Sequence, residues 1–103
     1  MSELPTVTVI VLNYNGLEHL GACFASLKEA DYPSQTLQLM MVDNASTDGS
    51  VEFMREIYPE VQLVMNEDNR GFASGNNVGA RKATSEYVIF LNNDMRVDPL
   101  FVR

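Results

Sequence analysis

Four short apolar runs alternate with segments whose apolar residues recur every three or four positions, and each of those runs ends directly in Asn or Asp. Thr6-Val7-Thr8-Val9-Ile10-Val11-Leu12 is rich in β-branched residues and predicts a buried strand. Asn13-Tyr14-Asn15-Gly16 ends it with turn formers. Leu17, Leu20, Phe24 and Leu27 then fall on one face of a helix, which Tyr32-Pro33-Ser34 breaks. A second strand is predicted from Leu37 to Val42, followed by Asp43-Asn44-Ala45-Ser46-Thr47-Asp48-Gly49. That loop holds many helix N-cap types, and Val51, Phe53, Met54 and Ile57 mark the helix it opens, which Pro59 closes. Val61 to Met65 is a third strand, Asn66 to Gly71 is polar, and a helix is expected over about 73–83. Tyr87 to Leu91 is the fourth strand.

The order βαβαβαβ predicts an α/β fold: a parallel, Rossmann-like sheet with right-handed crossovers and helices on both faces. Parallel strands carry their carboxyl ends on one rim, where open sheets of this class bind ligands. Three polar clusters are therefore expected to meet there: Asn13-Tyr14-Asn15, Asp43-Asn44 and Asn92-Asn93-Asp94.

A chain of 103 residues makes one modest domain, and its 46% apolar content argues against disorder. Seven basic against fourteen acidic residues give a net charge of −7, which repels nucleic acid and anionic membranes. The lone Cys23 excludes an internal disulfide and falls among helical apolar residues, so packing is its expected role. No apolar run approaches the roughly 20 residues needed to span a bilayer, and no signal peptide is recognisable. A cytoplasmic location, peripheral to the membrane at most, is the expectation. His19 lies in the first helix, away from the rim, and no Ser-His-Asp, Cys-His or His-rich metal set is present.

Asp43 has two roles open to it. Directly after a buried strand, its carboxylate suits a proton-bearing ring nitrogen of a nucleobase, or it caps the next helix. Ser46, Thr47 and Asp48 read as caps and turn formers. Gly71, Gly75 and Gly79 form a smooth helical strip, against either a nucleotide or the sheet. Their spacing is neither G-x-G-x-x-G nor a P-loop, which removes the main support for nicotinamide and ATPase readings. Arg70, beside Glu67 and Asp68, suits a surface ion pair or contact with a base or phosphate.

Asn92 and Asp94 suit a divalent cation only in company with a substrate phosphate. About 4 Å from a phosphate charge, a bare carboxylate is repelled by roughly 4 kcal/mol at an effective dielectric near 20. A cation between them reverses the sign, and hard oxygen ligands suit Mg²⁺ or Mn²⁺. The competing reading is a plain turn with a solvated Asp94.

Four segments together resemble a known family. They are Val9-Ile10-Val11-Leu12-Asn13-Tyr14-Asn15, Val42 to Ser50, Asn69-Arg70-Gly71-Phe72 with Gly75-Asn76-Asn77-Val78-Gly79, and Leu91-Asn92-Asn93-Asp94. In order and spacing they resemble the N-terminal part of a family 2 glycosyltransferase of GT-A type, in its rhamnosyltransferase-like branch. The resemblance implies an inverting enzyme that takes a sugar from a UDP-, dTDP- or GDP-linked donor to an acceptor hydroxyl, on a glycan or a lipid-linked chain. It implies nucleotide-sugar contacts at Asn13, Tyr14, Asn15, Asp43, Asn44, Arg70, Gly71, Asn77 and Asn93, with Asp43 on the base. Asn92 and Asp94 would occupy the ends of the D-x-D motif and hold Mn²⁺ or Mg²⁺, Asp94 chiefly, because an amide oxygen is the weaker ligand.

Catalytic domains of this family are about twice as long as this chain. The acceptor site and the general base are therefore expected beyond residue 103, and the isolated chain is expected to be inactive. Two alternatives stand beside this reading. One is a non-catalytic nucleotide-binding module. The other is a receiver-like phosphoacceptor domain, which needs acids where this chain has Asn13 and Asn15. Self-association is also expected, through an uncovered fourth strand and through Met95, Val97, Leu100, Phe101 and Val102.

Overall fold

The computed structural model describes residues 5–30, 32–33, 36–68 and 71–98, with residues 71–74 described in backbone alone. The elements follow the expected order: β1 (Val7–Asn13), α1 (Leu17–Lys28), β2 (Leu37–Asp43), α2 (Ser50–Ile57), β3 (Gln62–Met65), α3 (Gly71–Lys82) and β4 (Tyr87–Asn92). All pairings are parallel, in the order β3-β2-β1-β4. The chain steps outward from β1 through β2 to β3, then returns across the sheet to place β4 on the free side of β1. The order of strands therefore reverses at β1, and open α/β sheets bind their ligands at such a point, outside the carboxyl ends of the strands.

Strand alternation builds two apolar layers. Val7, Val9 and Val11 of β1 and Met41 of β2 pack with Leu20, Cys23, Phe24 and Leu27 of α1 and Met54 of α2. Ile10, Met40, Val42 and Val64 form the opposite layer, with Val78 of α3 against them. Helices thus cover both faces, as the period-2 and period-3.6 patterns require. Two glycines of the strip, Gly75 and Gly79, settle against the sheet. A Cβ on Gly75 would stand 2.6 Å from Leu12 Cδ1, and one on Gly79 would stand 2.7 Å from Val42 Cγ2. Only glycine lets α3 lie this close.

Three differences from the expected layout bear on function. The parallel ladder carries Asn13, Asp43 and Asn92 as the last residues of their strands rather than as the first of the loops. Backbone pairing explains the extension: the Asn44 amide donates to the Asn13 carbonyl, and the Asn66 amide to that of Asp43. The third helix begins at Gly71, two residues before its expected start. Finally, Val97 is not stranded. It packs on the α1 layer and its amide donates to Ser26 Oγ at 3.1 Å. Leu100, Phe101 and Val102 lie outside the described residues.

Candidate functional site

Register places Asn13 beside Asp43 on neighbouring strands. Both continue the alternation of Val11 and Met41, so both side chains turn toward the α1 and α2 side. They are 0% and 2% exposed. Buried polar groups at a rim must find partners, and here they find one another. Asn13 Nδ2 donates to Asp43 Oδ1 at 2.9 Å and to Ser46 Oγ at 3.2 Å. Ser46 Oγ donates to the same Asp43 oxygen at 2.7 Å, and the Ser46 amide donates to Asp43 Oδ2 at 2.8 Å. A carboxylate has about four acceptor directions. Among the described residues, protein donors fill three at Asp43, and one on Oδ2 remains. Asp43 is not the cap of α2. It forms a turn onto Ser46 and keeps an acceptor in reserve.

The loop after β1 is tied to the loop after β2. The Asn15 amide donates to Ser46 Oγ, and Asn15 Oδ1 accepts from the Thr47 amide, both at 2.8 Å. Asn15 and Ala45 both adopt positive φ, of 51° and 64°. Asn tolerates that region, whereas Ala carries a steric cost there. Tyr14 projects beside them, 51% exposed. An exposed ring next to a recessed carboxylate suits a flat heterocycle, with one group stacking and the other accepting a hydrogen bond.

Asp48 is the cap of this region. Its Oδ2 accepts from the first amide of α1, that of Leu17, at 3.0 Å, and its Oδ1 accepts from the amide and hydroxyl of Ser50. One carboxylate thus serves the N-termini of two helices. Burial acts to raise its pKa. Hydrogen bonds from the Ser50 hydroxyl and from the amides of Leu17 and Ser50 outweigh burial and hold it below the usual carboxylate value.

The third cluster follows β4. The Met95 amide donates to the Asn92 carbonyl at 3.1 Å, closing a turn with Asn93 and Asp94 at its centre. Asn92 and Asp94 are exposed. Asn93 bends inward, and its Nδ2 donates to Asn13 Oδ1 at 2.7 Å. Asp94 lies near enough to α1 for its charge to act on Cys23. Burial first, and then that charge, push the thiol up to about 11, so Cys23 is protonated and inert at neutral pH. Among the described residues no group of three His, Cys, Asp or Glu converges as a metal cage. Asn92 and Asp94 are two exposed hard-oxygen donors, which fits a Mg²⁺- or Mn²⁺-type ion that takes its remaining ligands from water and phosphate.

The expected site residues thus fall into groups. Asn13, Asn15, Asp43 and Asn93 are drawn into one network with Ser46. Tyr14, Asn92 and Asp94 are exposed around it. Asn44 is buried on the α3 side, where its Oδ1 accepts from Asn66 Nδ2 at 2.6 Å and Gly75 abuts it. Asn77 is exposed on α3, whereas its neighbour Asn76 is buried with Oδ1 lacking a hydrogen-bond partner among the described residues. Gly71 opens α3, and Arg70 lies outside the described residues. Sequence reasoning missed Asn66 and Asn76, and it gave Ser46 too small a part. Asn66 directly follows β3, at the carboxyl end where the other strands carry their polar residues, and that position was the signal available.

Comparison with known proteins agrees with this geometry. The sequence profile described as Glycosyl transferase family 2 matches residues 8–103. Glycosyltransferase AglE of Haloferax volcanii is 28% identical over 96 residues, covering 90% of this chain and 32% of its own length. An uncharacterized glycosyltransferase of Haemophilus influenzae is 31% identical over 95 residues, covering 89% of this chain and 37% of its own length. The chain therefore spans about a third of the length of these two relatives. Among solved structures, the mannosyltransferase PcManGT from Pyrobaculum calidifontis, in complex with GDP-Man and Mn²⁺, superposes with a TM-score of 0.82 at 35% identity. The match covers 92% of this chain and 29% of that one. S. aureus TarS 1-349 in complex with UDP-GlcNAc gives 0.81 at 26% identity, over 91% of this chain and 28% of that one. The fold is the GT-A type α/β sheet, and with the profile covering nearly every residue, this chain belongs to glycosyl transferase family 2.

Proposed function

We propose that the chain is the donor-nucleotide-binding part of an inverting glycosyltransferase, which transfers a sugar from a nucleotide-diphosphate sugar to an acceptor hydroxyl. One observation carries the reading. Asp43 is a recessed carboxylate fixed by three protein donors, with one acceptor left over, at the rim where the strand order reverses. An acceptor held in that way suits the ring N–H of uracil, thymine or guanine. Tyr14 and Asn15 line the same opening and offer the base a stacking surface and a rigid edge.

The diphosphate then lies toward the turn after β4. Asp94, with Asn92, is the residue pair that would hold the cation. When bound, Mg²⁺ or Mn²⁺ supplies the positive charge that lets a diphosphate sit beside Asp94 and steadies it as a leaving group. The structures with GDP-Man and Mn²⁺ and with UDP-GlcNAc support a nucleotide-sugar partner for this rim. Inversion requires a base to take the acceptor proton as the sugar is displaced in line. Asp43 and Asp48 are committed to their networks, so in this reading the base and the acceptor site belong to other parts of the enzyme. The 103 residues alone bind donor without turning it over. The family match leaves the receiver-like alternative without support.

Calorimetric titration with UDP, dTDP and GDP, each with Mn²⁺ and with chelator, tests the assignment. One nucleotide is expected to bind, and more tightly with Mn²⁺. Absence of binding in every condition overturns the donor site, and robust hydrolysis of a nucleotide sugar by this chain overturns the placement of the base elsewhere.

A further inference from the structure

Asp43 ends β2 and Asp94 lies in the turn after β4, two strands that do not touch because β1 lies between them. A single side chain nonetheless spans the gap. Asn13 Oδ1 accepts from Asn93 Nδ2 at 2.7 Å while Asn13 Nδ2 donates to Asp43 Oδ1 at 2.9 Å. The direction of this relay is forced. Turning the amide over would set the Asn13 carbonyl against the Asp43 carboxylate and its NH₂ against that of Asn93. Both bonds would become repulsions. An ionised acceptor at one end polarises the chain of bonds and strengthens each of them.

A second, independent feature protects the same link. A Cβ on Gly16 would stand 2.0 Å from Asn93 Nδ2 and 2.6 Å from Asn13 Oδ1. Gly16 has φ −106°, which any residue adopts, so its missing side chain serves space and not backbone freedom. The loop after β1 is therefore built to let Asn93 reach Asn13.

We infer that Asn13 and Asn93 are positioning residues that couple the base-binding half of the donor site, at Asp43, to the cation and diphosphate half, at Asp94. This rests on the donor-site reading above and revises the part that the family resemblance implied for Asn93. Asn93 does not contact the nucleotide. It anchors the exposed turn that presents Asp94, and through Asn13 it orients Asp43. The nucleotide's two ends are thereby held at a fixed separation before it arrives.

The test is an NMR titration of the chain with uridine, thymidine and guanosine, which carry no phosphate and so report the base half alone. Asn93→Ala, Asn13→Ala, the double variant and Gly16→Ala are compared with the unsubstituted chain, each checked for its native amide spectrum. Asn93→Ala, although distant from the base, is expected to weaken nucleoside binding about 3- to 10-fold. Gly16→Ala removes no polar group and is expected to do the same. Adding Asn93→Ala to Asn13→Ala is expected to cause no further loss. The coupling is overturned if Asn93→Ala leaves nucleoside affinity unchanged, or if the Asn13 and Asn93 losses simply add. Should Asn13→Ala fail to fold, Asn93→Ala and Gly16→Ala decide the matter by themselves. Failure of the unsubstituted chain to bind any nucleoside removes the donor-site reading and the coupling with it, whereas binding with additive losses removes the coupling alone.

Discussion

The ends of β1 and β2 and the end of β4 carry the same residue types on the same rim, yet they meet opposite surroundings. Asn13 and Asp43 are buried and hydrogen-bonded to one another, whereas Asn92 and Asp94 are exposed on a turn. The cause is strand position. β1 and β2 are inner strands with helices on both faces. β4 is an outer strand that α3 leaves largely uncovered, and Phe90 remains 46% exposed on it. In the donor-site reading proposed above, burial separates two tasks. The inner strands hold a rigid polar frame that a base can read. The outer strand offers solvated oxygens that a hydrated cation and a charged diphosphate can reach without stripping every water.

Substitutions at the two places should therefore fail differently. The largest effect is expected at Asp43→Ala, which leaves the buried donors of Asn13 and Ser46 without their acceptor. It should cost about 2–4 kcal/mol in chemical denaturation and abolish nucleotide binding. A loss of binding with full stability would show that the inner frame is not structural, and would erase the contrast.

Next is Asp48→Ala, expected to cost about 1–2 kcal/mol because two helix N-termini lose one cap. Its folded pKa lies below the unfolded value, so the stabilisation is present above about pH 4 and is lost as pH falls through the folded pKa. Thermal melts from pH 6 down to pH 3 should therefore show a smaller acid-induced decline in Asp48→Asn than in the unsubstituted chain.

At the outer strand the pattern should reverse. Asp94→Asn is expected to change stability by no more than about 0.5 kcal/mol. It should also remove the gain in nucleotide affinity that Mn²⁺ confers, as read by calorimetry. Asn92→Asp should enlarge that gain, since a carboxylate replaces a neutral amide ligand. If Asp94→Asn unfolds the chain, the turn belongs to the frame after all. The smallest effect is expected at Ala45→Gly, which relieves positive φ between Asn44 and Ser46 and should stabilise by about 0.5–1 kcal/mol.

Much of the fold was legible in the residues. β-branched runs, helical spacing and turn formers placed all seven elements to within a few residues, and alternation implied a parallel sheet covered on both faces. The candidate rim was legible too, because parallel strands must present their carboxyl ends together. The roles within it were less so. The glycine strip was open between a ligand and the sheet until α3 was seen lying on Leu12 and Val42. A cap role at α2 stayed open for Asp43 until Asp48 proved to hold that helix start. Both choices depend on which element packs against which, and spacing along the chain carries no such information.

The Asn pairs mark that limit. Asn76 and Asn77 are identical neighbours, and so are Asn92 and Asn93. One of each pair turns inward and the other outward. Sequence by itself determined that polar side chains would gather at the ends of buried strands, because local propensity and periodicity decide what is strand, helix and turn. Only the tertiary structure decided which of them would be buried in the frame and which would stay exposed. A side chain's direction depends on the phase of its element against the sheet, and its burial depends on whether the neighbouring strand or helix is there to cover it.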